Sequence, residues 1–258
     1  MRTGSNSVTM GRPVGCLGGG WAALLVLAFG AGAQPVAGWA QAQGSNLLAA
    51  PGAAAWVPAL LPAQKLPPTR LEVRAIEGRP AWRVQAEGSY GNLVHALQGA
   101  GSQARELAWR WQLERAIERA DLKTKAGDDA ALKVCVLFDL PTERVPFVER
   151  HMLRLARATS GQALPAATLC YVWAPLASGG SVLPNAHTRR MRWMVLRGAE
   201  SPLGVWHTEQ RDLQADFLRA FGEETPTVPP LMAVLVGADA DNTGGRGLGW
   251  LQDLALRP

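Results

Sequence analysis

The sequence predicts a mainly β protein, a β-sandwich of the jelly-roll, galactose-binding-like kind with two short helices. Three observations carry this reading. Short runs of alternating apolar and polar residues recur along the chain, separated by Gly and Pro turn signals. Helices and strands do not alternate as a parallel βαβ sheet requires. Only two segments, 143–158 and 213–221, show a helical period.

Taken in order, residues 1–42 read as a secretory signal peptide. Arg2 and Arg12 make a positive start without acids, and the apolar stretch 17–31 follows. That stretch is short for a membrane span of about 20 residues. Small-residue cleavage patterns stand at Ala31-Gly32-Ala33 and Ala40-Gln41-Ala42, and cleavage is expected after Ala42. The expected location is periplasmic or secreted, with no membrane span after cleavage. Residues 43–68 are rich in Ala and Pro and lack a period, so they read as a tether or as an arm lying on the domain surface.

Residues 69–258 are expected to form a single β-sandwich domain. Strand patterns occupy 70–74 and 82–86, divided by Gly78-Arg79-Pro80, and 92–97 after the Gly88–Gly91 turn signal. In 107–113, Trp109, Trp111 and Leu113 share a face against Arg110 and Gln112. The strand at 132–138 is the best specified. Leu132, Val134, Val136 and Phe138 make one apolar face, with Lys133, Cys135 and Leu137 opposite. In the helix at 143–158, Phe147, Met152, Leu153, Leu155 and Ala156 share a broad stripe between arginines. Strands at 168–174, 191–197 and 205–211 follow, with a Gly/Pro/Asn loop at 175–189. The helix at 213–221 stops at Gly222, and strands at 231–236 and 249–256 complete the chain.

Composition narrows the function classes. Hydrophobic residues at 48% and charged residues at 18% describe a globular chain rather than a disordered one. The net charge of +5 includes Arg2 and Arg12, and no Lys/Arg stripe runs along any element, so nucleic acid is not an expected partner. Ten Trp against two Tyr suit either a large core or a stacking surface for sugar rings. Cys135 and Cys170 both lie in strand patterns. They could form a disulfide in an oxidising compartment or pack as buried thiols. No Cys or His stands at metal-ligand spacing.

Several motifs together resemble a family of exported bacterial proteins, domain-of-unknown-function family 3047. They are Trp109-Arg110-Trp111, the run from Asp121 to Asp129, Phe138-Asp139, Leu169-Cys170-Tyr171-Val172-Trp173, Leu183-Pro184-Asn185, Thr188-Arg189-Arg190, Arg211-Asp212, Asp216-Phe217, Ala220-Phe221-Gly222 and Asp239-Ala240-Asp241-Asn242-Thr243. The resemblance spans 70–258. Two places depart from it: Ala240, where the family pattern carries Thr, and Ala174-Pro175, where it carries Asp-Asn. The resemblance implies no established activity. At the level of fold the pattern is similar to jelly-roll sugar-binding modules.

Polar groups gather in two loops. Lys125, Asp128 and Asp129 flank Gly127 and could bind sugar hydroxyls at a sheet end, or could serve as turn chemistry and local ion pairs. Asp239, Asp241 and Asn242 lie in a Gly-rich loop; the two acids are candidate ligands for a structural Ca²⁺, or the loop is a hydrogen-bonded turn. Trp173 is a candidate stacking residue beside them, with core as the alternative. No nucleophile elbow occurs, so no catalytic residue is assigned. The expected function is non-catalytic binding of a glycan or cell-envelope component, with no cofactor beyond that Ca²⁺. The alternatives are a hydrolase of an envelope polymer, pairing Asp128 or Asp129 with Asp239 or Asp241, and a protein–protein interaction module. The acids can act together only if the fold brings the two loops to one rim.

Overall fold

The computed structural model describes residues 46–60, 64–161 and 163–258. Residues 1–42, read from the sequence as a signal peptide, lie outside the described residues. Twelve strands and two α-helices run in the order β1 (Trp56–Ala59), β2 (Arg70–Ile76), β3 (Arg79–Glu87), β4 (Tyr90–Ala96), β5 (Glu106–Arg115), β6 (Ala130–Phe138), α1 (Phe147–Ser160), β7 (Ala167–Trp173), β8 (Val182–Pro184), β9 (Met191–Arg197), β10 (His207–Asp212), α2 (Leu213–Phe221), β11 (Leu231–Asp239) and β12 (Arg246–Arg257). They make a seven-stranded sheet, β1-β4-β11-β6-β7-β9-β8, and a five-stranded sheet, β10-β5-β12-β3-β2. All pairings are antiparallel except β7 with β9.

Local chemistry explains the joints. Ile76 pairs with Arg79, leaving the two-residue turn Glu77-Gly78 with positive φ at both positions, as a tight hairpin of right-handed strands demands. The chain then crosses between sheets from β3 to β4, from β4 to β5 and from β5 to β6. It crosses again on each step from β9 through to β12. The Asp212 carboxylate caps α2 by accepting from the backbone N–H groups of Gln214 and Ala215. Inside that helix Asp216 is buried, where it pairs with Arg211 at 2.6 Å and accepts from the Tyr171 hydroxyl at 2.9 Å.

The core lies between the sheets. Trp109, Trp111 and Leu113 of β5 face Leu132, Val134, Val136 and Phe138 of β6, with Trp82, Val84, Tyr171 and Leu251 around them. A second apolar cluster sits on the outer face of the seven-stranded sheet, formed by Leu122, Cys135, Cys170, Val172, Trp193 and Val195. Cys135 and Cys170 stand opposite each other on β6 and β7 and are joined by a disulfide.

Two expectations are corrected here. Residues 46–60, within the segment read as a tether or surface arm, are built into the domain: Trp56–Ala59 is an edge strand on β4, Leu48 and Trp56 are in the core, and Asn46 bonds to Leu254 and Leu256 of β12. Apolar anchors outweigh the Ala/Pro composition. The stripe on α1 is also not a core face. Leu153 is its one buried residue, while Phe147 is 79% and Met152 59% exposed. In addition, the loop expected at 175–189 contributes the short edge strand β8.

Candidate functional site

The two polar loops meet, and Asp129 joins them. Its carboxylate is buried and accepts from Asn242 N (3.0 Å), Asn242 Nδ2 (3.1 Å), Thr243 N (2.8 Å) and Thr243 Oγ1 (2.5 Å). Four donors on one carboxylate lock the 239–243 loop against the start of β6. A cavity of about 360 Å³ opens beside this tie, on the outer face of the seven-stranded sheet.

The sheet register builds the cavity floor. Asn92 of β4, Gly237 of β11 and Lys133 of β6 stand in one row, and Tyr90 pairs with Asp239 in the next. The missing side chain at Gly237 matters: a Cβ there would collide with Asn92 Oδ1 and with the Gly91 carbonyl. The row therefore has room for the Asn92 side chain, with Lys133 on the far side of Gly237. This lysine is almost fully buried, with Nζ 2.7 Å from Asp239 Oδ2 and 5.2 Å from the centre of the Tyr90 ring. The second oxygen of Asp239 accepts from Ala130 N at 2.8 Å. Burial pulls the Lys133 pKa down, but the Asp239 carboxylate, with smaller help from Tyr90 and Asp128, outweighs it and leaves the ammonium held above its ordinary value.

Asp128 forms the opposite wall. Asn185 Nδ2 donates to one oxygen at 2.5 Å and Trp193 Nε1 to the other at 3.0 Å, while His187 Nε2 stands 3.8 Å away. Burial raises the Asp128 pKa above the usual carboxylate range; the Asn185 and Trp193 bonds oppose it and the Asp239 charge adds to it. Asp241 is raised too, by burial first and then by Asp239. Three carboxylates, Asp128, Asp239 and Asp241, thus share the field of one ammonium. The cleft presents hydrogen-bond acceptors and an acid-rich field to whatever enters.

Of the residues singled out in the sequence, Asp128, Asp239, Asp241 and Asn242 line this cleft, and Asp129 lies behind it as the tie. Two do not join them. Lys125 sits exposed in a short 3-10 turn, Lys125–Gly127, and is not among the lining residues. Trp173 is 2% exposed between the sheets, with Trp111 and His207 as ring neighbours, so its side chain is core rather than a stacking surface. Both oxygens of Asp239 are engaged by protein donors. Among the described residues no group of three or more His, Cys, Asp or Glu is arranged to hold a metal ion. Tyr90, Lys133, Asn185 and His187 also line the cleft without having been singled out as site residues.

The family model described as "Protein of unknown function (DUF3047)" matches residues 54–255. Among curated proteins none matches the chain. Among solved structures the chain is similar to the xyloglucanase domain of NopAA, a type three effector from Sinorhizobium fredii, in complex with cellobiose. The identity is 8%, the match covers 73% of this chain and 92% of that one, and the TM-score is 0.35.

Proposed function

The chain belongs to this family of proteins of unknown function, DUF3047, and we propose that it is an exported, non-catalytic module that binds a glycan or cell-envelope component in the outer-face cleft. The observation that carries this is the convergence of Asp128, Lys133, Asn185, His187, Asp239 and Asp241 on one cavity of about 360 Å³. That volume is at the lower end of the roughly 300–1,000 Å³ of small-molecule sites. Hydroxyl-rich ligands suit such a wall because each hydroxyl both donates and accepts. Export is supported by the signal-peptide pattern in 1–42 and by the Cys135–Cys170 disulfide, which persists in an oxidising compartment.

Binding is preferred over hydrolysis for a physical reason. A carboxylate pair that cleaves a glycosidic bond must present one carboxyl to the leaving oxygen and the other to the anomeric carbon or a water, and hydrogen bonds that fix both oxygens of a carboxyl favour a holding role over that one. Asp128, Asp129 and Asp239 each give both oxygens to protein donors. Asp241 alone has no side-chain donor on it. The test is a glycan array probed with the purified exported protein, with and without Ca²⁺. Binding to a defined set of glycans, unchanged by Ca²⁺, is expected. If no arrayed glycan binds under either condition, the reading fails.

A further inference from the structure

A second depression, about 350 Å³ in volume, lies on the other side of the 239–243 loop. Arg115 ends β5 and Arg246 begins its antiparallel neighbour β12, so the two cations emerge at the same end of the five-stranded sheet. Arg119 joins them from the following loop, with one guanidinium nitrogen donating to the Thr243 carbonyl at 2.6 Å. Ile117 supplies an apolar floor. A Cβ at Gly245 would strike both Ile117 and Thr243 Oγ1, so bare backbone is what keeps this wall low. Glu118 is the one acid lining the groove. Among the described residues, neither Arg115 nor Arg246 has a carboxylate within ion-pair distance. Three guanidiniums around one groove, two of them unpaired, leave most of their N–H donors unused, and such forks match the paired oxygens of a carboxylate or a phosphate.

The cleft and this groove share a wall. Asn242 lines the first and Thr243 the second, and consecutive Cα atoms are about 3.8 Å apart. The fields on the two sides have opposite sign: acids dominate the cleft and arginines the groove. A ligand with neutral hydroxyls at one end and an acidic substituent at the other could enter in one direction only.

We propose that the Arg115–Arg119–Arg246 groove binds an anionic substituent, a carboxylate or a phosphate, carried by the same glycan whose hydroxyls occupy the cleft. This rests on the cleft reading above. The test is calorimetric titration of the exported protein with three probes: an oligogalacturonate, its fully methyl-esterified form, and a phosphomonoester-bearing oligomannoside. The same titrations are repeated on Arg115→Gln/Arg246→Gln, which spares the Arg119 anchor on Thr243. The expected result is that one charged probe binds about tenfold or more tighter than the neutral ester, and that the double variant removes this preference while leaving the neutral ester's affinity unchanged. Which charged probe shows it distinguishes carboxylate from phosphate. Equal affinity for charged and neutral probes, or a preference that survives in the variant, overturns the groove assignment and leaves the cleft reading standing. Failure of all three probes to bind overturns the groove assignment, and the cleft reading falls only if the glycan array is also blank.

Discussion

Lys133 is buried beside Asp239, and an ammonium so placed is tolerable only with its counter-charge in contact. Lys133→Met would leave the Asp239 carboxylate buried and unpaired, and we expect a loss of about 3–5 kcal/mol in denaturant-induced unfolding. The double variant Lys133→Met/Asp239→Leu should recover most of that loss, because it removes both charges together. Burial lowers and Asp239 raises the Lys133 pKa, with a net rise in the folded chain. The stability contributed by the pair is therefore fully present below the ordinary lysine value and is lost as pH climbs through the raised one. Melting temperatures followed into strong alkali should fall more steeply for the wild type than for the double variant. At this scale the sequence was half legible. Acids in Gly-rich loops announce themselves, so four of the cleft residues are readable from spacing. Lys133 is not, since a lysine alternating with Leu132 and Val134 looks like an ordinary solvent-facing position. Trp173 fails the other way: its chemistry suits a sugar platform, and only its packing on Trp111 of the opposite sheet shows that it points inward.

Strand boundaries were largely readable, because one-faced alternation is a strong physical signal. The strand 191–197 and the helix 213–221 agree with the structure at both ends. The failures have identifiable causes. Residues 56–59 have almost no alternation, and Trp56 is held by packing on Trp82 at 4.8 Å between ring centres rather than by any local preference. On α1 the apolar stripe is real, but the helix rests on the domain through Leu153 and leaves Phe147, Val148, Met152 and Leu155 outside. Replacing Phe147 with Ser should therefore change the melting temperature little, in contrast to the loss of about 3 kcal/mol or more expected of a core aromatic. Between β6 and β7 the disulfide closes a sequence separation of 35 residues. Cys135→Ser/Cys170→Ser should lose about 3–4 kcal/mol of unfolding free energy on the chain-entropy account. The same strands form the cavity floor, so reduction should also weaken ligand binding, which titration under reducing conditions would measure.

For the whole molecule, the sandwich is closed by a segment that composition alone assigns to a linker. Leu48 and Trp56 are buried, and each should contribute about 1.5–3 kcal/mol. A chain beginning at residue 69 is accordingly expected to be less stable by several kcal/mol and to expose the edge of β4; urea unfolding against the full chain checks this. The sheets also set where the proposed binding site sits. The inter-sheet space is filled by Trp, Tyr, Leu and Val, so the remaining place for a polar ligand on the seven-stranded sheet is its outer face, where Gly237 makes room for Asn92 and Asp129 holds the two acid loops together. That a cleft forms there depends on long-range pairing of β4, β11 and β6, which no local pattern reveals.

The central claim is that this cleft holds a hydroxyl-rich ligand, and the direct measurement is calorimetric titration of the array-selected glycan into the wild type and into His187→Ala/Asp241→Ala. His187 is half exposed and Asp241 has no side-chain donor on it, so neither anchors the fold. One-site binding in the wild type, weakened about tenfold or more in the variant at unchanged melting temperature, is the expected result. Equal affinity in the two proteins would contradict the account.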